Sequence, residues 1–295
     1  MSVQRMLAEP LRTPRRLRLA VRFRRPANRS ASIALVVVAA YVFMAVFGGL
    51  LAPFSPVDFN MAAVLKPPSW GHPFGTDGFG RDVLSRVLTG ARSILVLATL
   101  ATTFGVATGS ALGLVSGYRG GLVDEALMRL VDILLALPGL LLALLILTSL
   151  GSSPTNLVIA IAIVFVPKSA RVARSAIAPL RRLGYVEAAR LRGTSWLSIV
   201  FRELLPNVRG ELAVEFCLRF AYALLLISSL GFLGFGVQPP APDWGLMISE
   251  ARGLVMIAPW IVLFPALAIG LIVVAVNVLA DGIGAKGSKR EARYL

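Results

Sequence analysis

The chain has 295 residues, 57% of them hydrophobic and 15% charged, with a mean hydropathy of +0.78. Several apolar runs approach the roughly 20 residues that a membrane-crossing helix needs, which excludes an ordinary soluble domain. The net charge of +15 would suit nucleic acid in a soluble protein, but here the basic residues flank the apolar runs, as membrane topology requires, and no nucleic-acid partner is expected.

Residues 1–30 form a basic arm with nine arginines. The apolar run from Ala31 to Leu51 is long enough to span, so it reads as an uncleaved first helix rather than a signal peptide. Residues 31–92 combine this helix with a proline-rich connection and the segment HPFGTDGFGRDVLSRVLTGAR, His72–Arg92. There Thr76 or Asp77 is placed to cap a three-turn amphipathic helix. Val83, Leu84, Val87 and Leu88 would share one face, opposite Arg81, Asp82, Ser85 and Arg86. The segment resembles the G-T-D-x-x-G-R-D phrase ahead of the second span in C-type subunits of dipeptide and oligopeptide ABC importers. Two readings stand for Asp77, Arg81 and Asp82, local capping and ion pairing or direct ligand contact, and Asp77, Arg81, Arg86 and Trp244 are candidates for contact with an extracytoplasmic binding protein or gate.

Residues 93–281 read as five further helices around a polar loop. The second span covers about 93–115, with Gly105, Gly109 and Gly113 spaced for close helix packing. The third, about 127–150, should kink at Pro138, and Arg129 and Asp132 can pair near its start. The fourth is apolar only over about 156–169, roughly 21 Å, so it must extend into the Lys168–Arg174 region, snorkel its basic ends or be surrounded by other helices.

The loop of about 171–210 contains EAARLRGTSWLSIVFRELLP, Glu187–Pro206. A first short helix should stop at Gly193, a second should start from Thr194 or Ser195, and Pro206 should end it. The order Glu187, Ala188, Ala189, Gly193, then Leu205 and Pro206 resembles the EAA loop of ABC importer permeases. One position departs from it: Glu203 stands where that motif has Ile. The fifth span covers about 212–235, with Glu215 and Arg219 an i,i+4 ion pair toward its cytoplasmic end. GFLGFGVQPPAPDWG, Gly231–Gly245, resembles the phrase closing the fifth span in the same C-type subunits, and Trp244 suits a membrane interface. The sixth span covers about 257–279, and a basic tail follows over 282–295.

On this topology 24 of the 30 Lys and Arg lie on the side of the 171–210 loop and both termini, against five on the other. That asymmetry makes the loop cytoplasmic. The expected fold is therefore an all-α integral membrane protein with six transmembrane helices, which the resemblance implies is a type I ABC importer permease. The resemblance implies a non-catalytic transport subunit of a prokaryotic cytoplasmic membrane that moves dipeptides or oligopeptides. It also implies four partners besides membrane lipid: a homologous second permease subunit, two ABC ATPase subunits and an extracytoplasmic solute-binding protein. ATP and Mg would belong to the ATPases, with no cofactor or metal in this chain. Coupling would run through Glu187, Ala188, Ala189, Gly193, Leu205 and Pro206. A nickel or other solute permease of the same family is one alternative. An ion-driven secondary transporter is another, and would need ionisable residues deep in the bundle. Neither a nucleotide-binding motif nor an intramembrane Ser–Lys, Asp–Asp or metal constellation is present in the sequence.

Overall fold

A computed structural model describes residues 27–291, with side-chain surroundings for 29–284. The basic arm expected over 1–30 and the last residues of the tail thus lie almost wholly outside the described residues. All long elements among the described residues are helices. They are α1 (Ala27–Leu51), α2 (Val83–Arg119), α3 (Gly121–Leu135), α4 (Gly139–Leu150), α5 (Pro154–Ile177), α6 (Gly184–Leu191), α7 (Trp196–Ser198), α8 (Leu205–Phe232), α9 (Trp244–Glu250) and α10 (Trp260–Glu291). Five stretches are long and apolar enough to cross a membrane, or six if the bent pair α3–α4 is one span.

α2 and α5 form the centre. Gly105, Gly109, Gly113 and Gly117 run along one face of α2, directly against α5. A Cβ at Gly109 would lie 2.5 Å from the Val166 carbonyl oxygen, and one at Gly113 only 2.2 Å from that of Ala170. No side chain fits between these backbones. Lipid tails provide no hydrophobic drive between helices, so such close packing over four turns is what holds a pair together in a membrane. α5 runs 24 residues, straight through Lys168–Arg174, which resolves the short apolar stretch in favour of extension.

α1 lies at the periphery and presents most of its apolar surface outward. It is tied inward through Ala34, Tyr41 and Gly48, with the Tyr41 hydroxyl donating to the Ala268 carbonyl of α10 at 2.7 Å. Gly48 lets it approach the Leu88 backbone.

Four sequence expectations need correction here. The cap in His72–Arg92 is Asp82, whose side chain accepts from Ser85 N at 2.8 Å, not Thr76 or Asp77. Gly75 and Gly80, both at φ +72°, turn the chain twice before any helix can start. The expected separate amphipathic helix is the first turns of the 37-residue α2, and its polar face is as buried as its apolar one. Pro138 breaks the third span rather than kinking it: α3 and α4 meet at 84°. Pro138 itself has extended ψ (130°), and proline disfavours the helical region for Leu137 before it. Asp132 does not pair with Arg129. It meets Arg171 of α5 at 2.7 Å, while Arg129 lies 3.7 Å from Glu125, one turn back.

The glycine seam predicts a sharp contrast. Gly113→Ala should cost about 1–3 kcal/mol, because the new methyl meets backbone rather than a movable side chain. Gly49→Ala, with nothing within 4 Å, should be neutral. Thermal unfolding of the purified protein in detergent distinguishes them, and equal melting temperatures would contradict the seam.

Candidate functional site

The loop between α5 and α8 folds on a small core of its own. Val186 and Ala189 of α6, Ile199, Val200 and Leu204 pack with Ile177 of α5, Leu114 of α2 and Val208 of α8. α6 ends as its sequence requires: Gly193 takes φ +71°, and Thr194 N returns to the Ala189 carbonyl at 3.1 Å. Ser195 then caps α7 by accepting from Ser198 N.

Pro206 does not end the second helix. It sits in the first turn of α8, reached through a π-helical turn over Ile199–Leu204. Proline has no N–H to answer the Arg202 carbonyl, so the α ladder cannot pass this point unchanged. The wider turn absorbs the mismatch and keeps Ile199, Val200 and Leu204 all facing the loop core. Glu203, at the unusual position, is half-buried beside Tyr185, and its carbonyl accepts from Asn207 Nδ2. Burial and the Glu203 carboxylate together push the Tyr185 hydroxyl above its ordinary range.

The outer face of the loop carries Glu187, Arg190, Leu191, Leu197 and Phe201, all exposed, Leu191 at 85%. Ala188 is half-buried and Leu205 packs at the edge of the loop core. Behind Glu187 opens a cleft of about 790 Å³ lined by Tyr118, Arg119, Arg181, Arg182, Glu187, Arg190 and Leu191. The Arg190 guanidinium lies 4.8 Å from the Tyr118 ring centre and that of Arg119 4.9 Å from Trp196. These stacks join α6 and α7 to the end of α2.

A second polar cluster occupies the opposite end of α2. Asp77 Oδ2 accepts from Arg81 Nε at 2.7 Å and Arg86 Nη1 at 2.6 Å, and both arginines reach Glu250 Oε2 of α9, at 2.8 and 3.2 Å. Two acids and two bases balance here, with Asp77, Arg81 and Arg86 buried and Glu250 at the exposed rim, and the cluster ties the start of α2 to α9. Arg81 and Arg86 are therefore enclosed, 7% and 2% exposed, and offer no free polar face. Trp244 is also fully buried rather than interfacial, with Nε1 donating to the Val87 carbonyl at 3.0 Å. Glu250 was not singled out in the sequence; its only signal there is its place just after the Trp244–Gly245 phrase.

The third cluster is the ion pair expected in the fifth span. Arg219 Nε lies 2.8 Å from Glu215 Oε1, and Ser169 Oγ of α5 donates to the same oxygen at 3.0 Å. The pair sits near the middle of α8, not toward its end, because α8 starts at Leu205 and continues the π turn. Sequence reasoning missed Lys168 beside it, which lies 4.9 Å from the Tyr222 ring centre.

Comparisons place these features among known proteins. Residues 109–290 match the model of the binding-protein-dependent transport system inner membrane component family, and residues 17–68 that of the N-terminal TM domain of oligopeptide transport permease C. A dipeptide transport system permease of Alkalihalophilus pseudofirmus is 40% identical over 87% of this chain and 84% of its own. A di/tripeptide transport system permease of Pseudomonas aeruginosa is 41% identical, covering 87% and 86%. A glutathione transport system permease of Pectobacterium atrosepticum is 38% identical, covering 86% and 84%. Among solved structures, an inward-facing MetNI methionine ABC transporter chain aligns with a TM-score of 0.57 at 16% identity, over 68% of this chain and 96% of that one. That likeness shows a shared fold, the type I permease architecture.

Asp243, the cap of α9, gives a pH test. Burial pushes its carboxyl up to about 6, and among the described residues Oδ2 has no hydrogen-bond partner. A folded value above the unfolded one means that its contribution is complete below about pH 4 and is lost as pH rises through about 6. Stability should fall by about 2–3 kcal/mol over that window. Asp243→Asn keeps the capping oxygen and should flatten the dependence. The same pH slope in the variant, read by thermal unfolding, would contradict the assignment.

Proposed function

This chain belongs to the binding-protein-dependent transport system inner membrane component family, and from that premise we propose that it is the C-type permease subunit of an ABC importer for short peptides. The carrying observation is the 171–210 loop: a helix on its own core, with Glu187 and a row of apolar side chains turned outward from the bundle. Because exposed Glu187, Arg190 and Arg192 are interspersed with these apolar residues, the patch suits a protein partner rather than lipid. The charge asymmetry supports a cytoplasmic position for it and for both termini.

In this reading two ATPase subunits hold ATP and Mg and grip the loop at Glu187, Ala188, Ala189 and Gly193. Leu205 and Pro206 join that grip to α8. A homologous permease completes the translocation path, and a solute-binding protein delivers the peptide on the far side. ATP binding draws the ATPases together, and the loop moves with them. Because the loop core includes Leu114 of α2, Ile177 of α5 and Val208 of α8, three long helices must follow. The chain performs no chemistry of its own. The names of its relatives favour peptides over nickel chelates or other solutes. Asp77, Arg81, Arg86 and Trp244 serve here as the clamp that holds α9 to α2, rather than as direct contacts to the binding protein.

Glu187→Lys and Gly193→Asp should leave the complex assembled and in the membrane while lowering peptide uptake by about tenfold or more, equivalent to about 1.4 kcal/mol of coupling or more. Gly193→Asp acts through its left-handed backbone, which a side chain strains. Uptake of a radiolabelled peptide by whole cells at the wild-type rate in both variants would overturn this role.

A further inference from the structure

The Glu215–Arg219 pair has a third charged neighbour that its own electrostatics leave over. Lys168 of α5 sits over the Tyr222 ring of α8 at 4.9 Å. Among the described residues Lys168 makes no ion pair, and the cluster's one carboxylate, Glu215, is already taken by Arg219 at 2.8 Å. The cluster therefore has two cations and one anion.

Its depth makes this costly. Lys168 lies fourteen residues into α5 from Pro154, and Arg219 thirteen residues before the end of α8 at Phe232. At 1.5 Å per residue both are about 20 Å from the far ends of their helices, inside a hydrocarbon core of about 30 Å. Charged groups at such depth face the bundle interior or a water-filled path, and an excess charge there needs an answer.

The backbone nearby has the same polarity. The break between α3 and α4 falls beside this cluster: Gly139, the first residue of α4, lies against Val164 and the Tyr222 hydroxyl. α4 has no side-chain cap, so no side chain offsets the positive end of its dipole. Broken helices in transporters place such ends at anionic substrate groups. The Tyr222 hydroxyl makes no hydrogen bond among the described residues and can donate one.

We propose that Lys168 and Tyr222, beside the Arg219–Glu215 pair and the start of α4, form a carboxylate station on the translocation path that takes the free C-terminal carboxylate of a short peptide in transit. This rests on the peptide-importer reading and adds to it a ligand group and the residues that receive it. Lys168 supplies the charge and Tyr222 a hydrogen bond. Arg219 stays neutralised by Glu215, so the station holds one excess charge and can release its ligand again.

The test uses the complete importer in proteoliposomes, with a peptide and its C-terminally amidated form each supplied at saturation of the binding protein. Wild type should carry the carboxylate form faster. In Lys168→Gln the carboxylate-to-amide rate ratio should fall about tenfold, a change of about 1.4 kcal/mol, with Lys168→Arg restoring it. Tyr222→Phe, which keeps the ring, should lower the ratio less. Normal uptake with an unchanged ratio in Lys168→Gln overturns the station alone. Loss of assembled complex in Lys168→Gln, or an equal fall for both peptides, also overturns it, in favour of a carboxylate from the partner permease. A wild-type complex that carries neither peptide overturns the peptide reading itself and the station with it.

Discussion

The seam of backbone against backbone between α2 and α5 is the constraint on which everything else rests. Four glycines spaced one turn apart bring the helices so close that carbonyl oxygens of α5 stand where side chains would be. In water such a seam would be one contribution among many. In lipid, where apolar side chains gain nothing by leaving the solvent, close packing and polar contacts are the main attractions left between helices. α3 is then pinned to the same pair by charge, with Arg174 of α5 holding Asp124 through Nη2 at 2.6 Å and Arg171 holding Asp132.

α2 is longer than a bilayer needs, about 55 Å at 1.5 Å per residue. One end enters the clamp of Asp77, Arg81, Arg86 and Glu250; the other supports the loop core through Leu114 and the stacks on Tyr118 and Arg119. Two polar devices some tens of ångströms apart thus share one rigid element. The clamp is a structural joint by its burial and charge balance. The loop exposes Leu191, Leu197 and Phe201 while Val186, Ala189 and Leu204 fill its core. Between them lies the break in the third span, where Gly139 at the start of α4 stands against Val164 and the Tyr222 hydroxyl.

Much of this was legible in the residues. Apolar run lengths gave the spans, the glycine spacing marked the seam, and the order from Glu187 to Pro206 pointed to the family. The Glu215–Arg219 pair followed from i,i+4 spacing alone. What could not be read depends on tertiary placement. Arg81 and Arg86 look like a solvated face until Glu250, more than 160 residues away, arrives to bury them. Asp132 prefers a partner across the bundle to one on its own helix, because α3 packs on α5. Pro206 shows that a residue which usually stops a helix can begin one, when a π turn ahead of it removes the need for its missing N–H. Lys168 looked like an ordinary snorkelling end until α5 proved long enough to carry it inside.

The central claim is that the loop, α2 and the clamp move as one body, so that motion forced on the loop reaches the far side undiminished. Distances between spin labels test it directly. Labels at Leu191 on the loop and Trp70 beyond the clamp are both highly exposed, and the one native cysteine, Cys217, is replaced by alanine. In the reconstituted complex the account predicts the same distance distribution in the nucleotide-free and ATP-trapped states, even as each label moves relative to the partner permease. A shift of several ångströms between the two labels within this chain would contradict it.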